Sequence, residues 1–137
     1  MDYSLGALKL LCIQLKNARQ APSPKAFTLG GILFQRAWLQ GVLISTPSSS
    51  HSGGEGFHLD DGTGVIELLL SGDLRNRNWE TGMYLMVVGF YSIGNDGTSV
   101  LKVHKMVDLS PFPDRESMWY LEVIEVFKMF YQPIFQE

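Results

Sequence analysis

Apolar residues in this chain fall into short runs broken by glycine, serine and aspartate turns, until the last quarter, where their spacing switches to that of a helix. The first long run, ILFQRAWLQGVLIST at 32–46, is rich in β-formers, and Gly41 in its middle marks a bend or bulge of a long, coiled strand. A Ser/Gly segment follows at 46–56 and reads as a hairpin loop. Next come a short strand at 57–59, the turn Asp60-Asp61-Gly62-Thr63-Gly64 and a strand at 65–70. The polar link DLRNRNWETG holds at most one helical turn. It leads to MYLMVVGFYSI at 83–93, a nearly continuous apolar strand of the kind found where a barrel closes. Gly94-Asn95-Asp96-Gly97 is a second hairpin signal, and TSVLKVHKMVDL completes the pattern as a final strand.

Upstream of these runs the pattern is less decisive. Leu8, Leu11, Cys12 and Leu15 have helix-like spacing, but a strand entering a short helix fits as well. APSPKAFTLGG at 21–31, with two prolines and two glycines, predicts a turn-rich connection over the surface.

Residues 113–131 predict one helix, with Pro113 at its first position, where a missing N–H is harmless. At about 100° per residue, Val126, Trp119, Phe130, Val123, Phe127, Tyr131 and Ile124 share an arc roughly 160° wide. Glu122, Glu125 and Lys128 lie opposite, while Met118, Leu121 and Met129 extend the apolar surface beyond the arc. That is more than one small barrel covers, so one side of the helix is expected on its own domain and the other on another chain. The plainer alternative is a helix that plugs the open end of the barrel.

Five strands in this order predict a mainly β protein, a five-stranded Greek-key barrel of the oligonucleotide/oligosaccharide-binding (OB) type with a C-terminal α-helix. An SH3-like barrel is the main competitor and explains the terminal helix less well. The organisation expected is an N-terminal extension packing on the barrel at 1–31, the barrel at 32–110, and an interaction helix and tail at 111–137.

Composition narrows the function. A chain of 137 residues has room for one domain. The net charge of −3 and the scattered Lys and Arg residues leave no basic stripe, so DNA contact is expected to be weak or indirect at most, through Lys9, Lys16, Arg19 and Lys25. The single cysteine, Cys12, precludes an internal disulfide, and His51, His58 and His104 lack metal-ligand spacing. No cofactor or metal is implied. Asp60 and Asp61 are explained by turn chemistry. The apolar runs are too short for a membrane helix of about 20 residues, so no membrane association and a soluble intracellular protein are expected.

AWLQGVLI (37–44), LDDGTGVIEL (59–68), GMYLMVVGFY (82–91), and above all KMVDLS (105–110) followed by ESMWYLEVIEV (116–126) resemble the RecQ-mediated genome instability protein 2 family, in a plant-like form. The Ser-rich loop at 46–54 and the tail FKMFYQPIFQE depart from the family pattern. The resemblance implies a non-catalytic nuclear subunit whose barrel pairs with the C-terminal OB domain of RecQ-mediated genome instability protein 1. Through that partner it implies a complex with topoisomerase III and a RecQ-type helicase, acting in double Holliday junction dissolution, crossover suppression and genome stability. Lys105 matches the lysine of the family motif and is a candidate for a charge-assisted bond to the partner.

The leading expectation is therefore an interaction module whose partner-binding residues are Lys105, Trp119, Val123, Val126, Phe127 and Phe130, with self-association through the helix when the partner is missing. The alternative is an autonomous single-stranded DNA-binding OB-fold protein. It requires outward aromatics on the second and third barrel strands with Lys or Arg between them. An enzyme is disfavoured, because the chain has no nucleophile elbow, phosphate-cradling loop or paired carboxylates beside a His.

Overall fold

The computed structural model describes residues 7–20, 26–29, 32–47, 56–94, 96–112 and 114–126. At the N-terminus both readings of the spacing hold in turn: β1 (Leu8–Lys9) is an extended pair of residues and α1 (Cys12–Leu15) a single helical turn. After them β2 (Arg19–Gln20), β3 (Phe27–Leu29) and β4 (Ile32–Phe34) form a small antiparallel sheet, which crosses the boundary expected at 31/32.

The surface connection expected at 21–31 is corrected at its described end. Ala26, Phe27 and Leu29 are buried, and Phe27 sets its ring edge-on to Tyr91 at 4.8 Å. Pro and Gly mark turns correctly, but Phe27 and Leu29 alternate into the core, and their apolar area outweighs the turn signals around them.

The barrel strands follow as β5 (Arg36–Ser45), β6 (Phe57–Asp60) and β7 (Val65–Leu69). The one-turn helix α2 (Gly72–Arg75) comes next, then β8 (Tyr84–Ile93), β9 (Ser99–Asp108) and α3 (Asp114–Val126). Strand β8 pairs antiparallel with both β5 and β9, which is why its sequence is apolar almost throughout. Strand β7 returns to β9 by a parallel pairing, and the five strands close in the order β5-β6-β7-β9-β8. The chain is thus a mainly β protein with a closed five-stranded OB barrel.

Alternation along each strand fills the interior: Ala37, Leu39 and Leu43 from β5, Leu59 from β6, Ile66 and Leu68 from β7, Leu85 and Val87 from β8, and Leu101 and Val103 from β9. Gly41 and Gly89 lie where strands cross closely. A Cβ on Gly89 would run into the carbonyl of Lys102, and one on Gly41 into the backbone of Asp60. The register shift expected near Gly41 lies further on, between Leu43 and Ser45, and a second occurs between Val88 and Gly89.

Candidate partner-binding site

Strand alternation that sends Ala37 and Leu39 into the core turns Trp38 outward, where an indole needs cover. Helix α3 supplies it. Trp119 and Val123 are 1% and 0% exposed and cluster with Leu11 and the half-buried Trp38, separately from the barrel core. The two indoles stack with centroids 6.0 Å apart and planes 27° apart. The helix therefore docks on the outer wall of the barrel through β5 and does not plug its end.

Residues from the N-terminal segment complete the seat. Leu8 and Lys9 run parallel to Ala37 and Trp38, which places the Lys9 ammonium 4.7 Å from the centre of the Trp38 ring. Lys9 also reaches Glu122 at 3.6 Å, and Arg115 reaches the same carboxylate at 3.7 Å. Such partly exposed pairs orient the helix more than they stabilise it. Both indole N–H groups are buried without an acceptor among the described residues. Each unmet donor costs about 1–3 kcal/mol, so the seat holds by its apolar area.

Leu11 is held in place by the turn between β6 and β7. Asp61 is buried in the β6–β7 turn and accepts the N–H of Cys12 at 2.7 Å, the Thr63 N–H at 2.8 Å, the Thr63 hydroxyl at 2.7 Å and the Gly64 N–H at 3.2 Å. Asp60 caps only its own turn, through the Gly62 N–H at 2.8 Å. Burial first, and then the Asp61 carboxylate beside it, push the Cys12 thiol far above its usual range, so it stays protonated and inert.

The opposite side of α3 faces solvent with Met118 at 48%, Leu121 at 67% and Ile124 at 43% exposure. Spaced i, i+3, i+6, these three form the stripe that an amphipathic partner helix would read. Ile124, placed by periodicity on the arc of Trp119 and Val123, is exposed with this stripe instead.

The structure therefore redistributes the sequence-derived residues. Trp119 and Val123 are corrected from partner contacts to internal anchors, because Trp38 and Leu11 take them up within this chain. Lys105 is exposed on β9 opposite Val88, in the row that continues to Trp38. The side chain of Val126, and Phe127 and Phe130 altogether, lie outside the described residues. Sequence reasoning passes over Trp38 as a site residue and gives Lys9 and Leu11 other roles; the signal was the period-2 placement of Trp38 between two core residues. Among the described residues no three His, Cys, Asp or Glu side chains gather as a metal ion would need.

The outer face of β6 and β7 carries His58, Asp60, Val65, Glu67 and Leu69. Phe57 points inward, and His58 is tied through Nδ1 to the Ser45 hydroxyl at 2.7 Å. Among the described residues these two strands put no Phe, Tyr or Trp ring and no Lys or Arg on that face.

Known structures share this architecture at low identity. The Schizosaccharomyces pombe Stn1–Ten1 complex contains a chain that aligns with a TM-score of 0.72 at 14% identity, covering 89% of this chain and 91% of that one. A chain of yeast replication protein A bound to single-stranded DNA aligns at 0.70 and 18%, covering 95% and 96%. At the sequence level, the chicken RecQ-mediated genome instability protein 2 is 33% identical over 100 residues, 72% of this chain and 70% of the relative. The model of that family matches residues 6–127, which takes in the N-terminal segment, the barrel and α3 together. The chain, an OB-fold protein of genome maintenance, belongs to the RecQ-mediated genome instability protein 2 family.

Proposed function

We propose that this chain is the small non-catalytic subunit of a nuclear complex, bound directly to the C-terminal OB domain of RecQ-mediated genome instability protein 1 and through it to topoisomerase III and a RecQ-type helicase. In that setting it stabilises the assembly for double Holliday junction dissolution and crossover suppression. The observation that carries the reading is the two-sided helix: α3 is fixed to its own barrel by Trp119 and Val123, and still presents Met118, Leu121 and Ile124 to solvent. A rigid helix with an uncovered apolar stripe suits helix-to-helix association, since little ordering remains to be done on binding. Lys105 and Phe127, Phe130 and Val126 are proposed to extend the contact at its two ends. Family membership supports the same partner.

The autonomous single-strand binder is the weaker reading, because the β6–β7 face has neither the stacking rings nor the cations it needs. Co-expression with the C-terminal OB domain of the protein 1 partner, followed by light scattering on a sizing column, tests the proposal. A one-to-one complex is expected, reduced to separate chains by Leu121→Glu with Ile124→Glu. Failure of the unsubstituted chain to form the complex, or a complex indifferent to those two changes, overturns it. The chain expressed alone is expected to self-associate through the same stripe.

A further inference from the structure

A cavity of about 260 Å³ lies beside the link between β7 and β8, and among the described residues none of α3, β8 or β9 borders it. The link folds tightly after the single turn of α2. The Leu74 carbonyl accepts both the Arg77 N–H at 3.3 Å and the Trp79 indole N–H at 2.7 Å, so residues 74–79 are drawn into a compact knot. Leu74 and Trp79 pack on the barrel core, which leaves Arg75, Arg77 and Asn78 exposed around them. These three side chains border the cavity together with the rings of Pro47, Phe57 and Trp79.

The charge at this cavity is of one sign. Arg75 and Arg77 border it and, among the described residues, no carboxylate does; Asp73 and Glu80, the acids of the same link, are not part of its lining. The Arg75 guanidinium lies 5.9 Å from the centre of the buried Phe57 ring, a cation–π contact that fixes it at the cavity wall. Neither arginine forms an ion pair with a described residue. Two guanidiniums at one small cavity repel each other until an anion lies between them. In a chain of net charge −3, this is a local reversal of sign with apolar rings beside it.

We infer that this cavity binds a phosphorylated serine or threonine of a partner protein, the phosphate held between Arg75 and Arg77 and the neighbouring peptide residues resting on Pro47 and Trp79. A phosphate monoester carries a charge of about −1.5 to −2 near neutral pH, and its oxygens accept from both planar forks at once. The Asn78 carboxamide supplies a further donor. A carboxylate brings a single charge, which one arginine neutralises. A nucleic-acid backbone presents single charges in a row, whereas no Lys and no third Arg borders this cavity among the described residues. Arginine pairs beside an apolar rest are how phosphorylated segments are read in general. The cavity is not the stripe of α3, so the inference stands apart from the partner proposal.

An NMR titration of the full chain with a mixture of peptides of about nine residues, each with a central phosphoserine between randomised positions, tests it. The Trp79 indole N–H and the side-chain N–H signals of Arg75 and Arg77 should shift. The same mixture with serine at the centre should leave them in place, and one with glutamate should bind roughly tenfold more weakly. Arg77→Gln should weaken the phosphoserine mixture roughly tenfold, Arg77→Lys should keep the charge and recover part of that loss, and Arg75→Gln with Arg77→Gln should abolish the shifts. Both arginines are exposed, and unchanged core methyl signals of Leu59 and Ile66 establish that the variants fold. The inference is overturned if the three reporters do not shift, if the serine or glutamate mixture acts as well as the phosphorylated one, or if the double variant binds like the parent. Displacement of the peptides by an equal concentration of inorganic phosphate, or by oligothymidylate, would equally overturn it, in favour of a free anion or a nucleic acid.

Discussion

The two outer faces of this barrel are built by the same alternation and carry opposite chemistry. On β6 and β7, four and five residues long, the outward positions are His58, Asp60, Val65, Glu67 and Leu69, and the strands end in a tight aspartate turn. On β5, β8 and β9, ten residues each, the outward positions include Trp38, Phe90, Lys102 and Lys105, and α3 lies against β5 at Trp38. The interiors of the two halves are alike in kind, predominantly aliphatic with Phe57 from one and Tyr91 from the other. What a barrel of this type can bind is therefore decided by which wall is long enough to seat another element and which cations and rings alternate onto it. The fold itself leaves that choice open.

The comparison is broken most severely at the helix seat. Trp119→Ala should cost roughly 3–5 kcal/mol, as expected for a fully buried indole, while Leu121→Ala, on the exposed side of the same helix, should stay within about 0.5 kcal/mol. Urea unfolding of the two variants checks this, and equal losses would mean that α3 is not seated as described. Asp61 comes next, because it is where the two faces are coupled: a turn on the β6–β7 side holds the segment that carries Leu11 into the seat. Asp61→Ala leaves the N–H groups of Cys12, Thr63 and Gly64 without this acceptor and should cost about 2–3 kcal/mol. Asp61→Asn, which keeps one acceptor oxygen, should cost less. Hydrogen exchange at the Cys12 amide should rise in the alanine variant, and an unchanged rate would uncouple the two faces.

How far the sequence reaches differs along the same lines. The barrel strands were legible because each is bounded by turn chemistry and each carries its own period, and the apolar run of β8 identified the closing strand. Phe27 and Leu29 were hidden by the prolines and glycines around them, since a local signal for turning says nothing about what the residues between the turns will meet. The helix was legible as a helix and as two-sided, but its sides were misassigned. Periodicity fixes which residues share a face; it does not say which face finds Trp38. That depends on a contact between residues 38 and 119, which no window of sequence contains.

The finest test of the contrast is a titration. His104 lies on the cationic wall, and burial first, then the charges of Arg36 and Lys105, hold its pKa below the ordinary 6.5. In the unfolded chain those influences are gone, so as acid is added the unfolded chain takes up this proton before the folded one does. His104 therefore contributes its full share of stability above about pH 6.5 and loses it as the pH falls through the lower folded value. The ring is largely exposed, so the loss should be smaller than that from either substitution above. The pKa itself is the better observable, read from the imidazole carbon-bound protons by NMR. His104 should titrate below the ordinary histidine value, and Arg36→Gln should move it upward. A His104 that titrates at or above the ordinary value would mean that the charges of Arg36 and Lys105 do not reach it, and the difference between the two walls would then reduce to the helix alone.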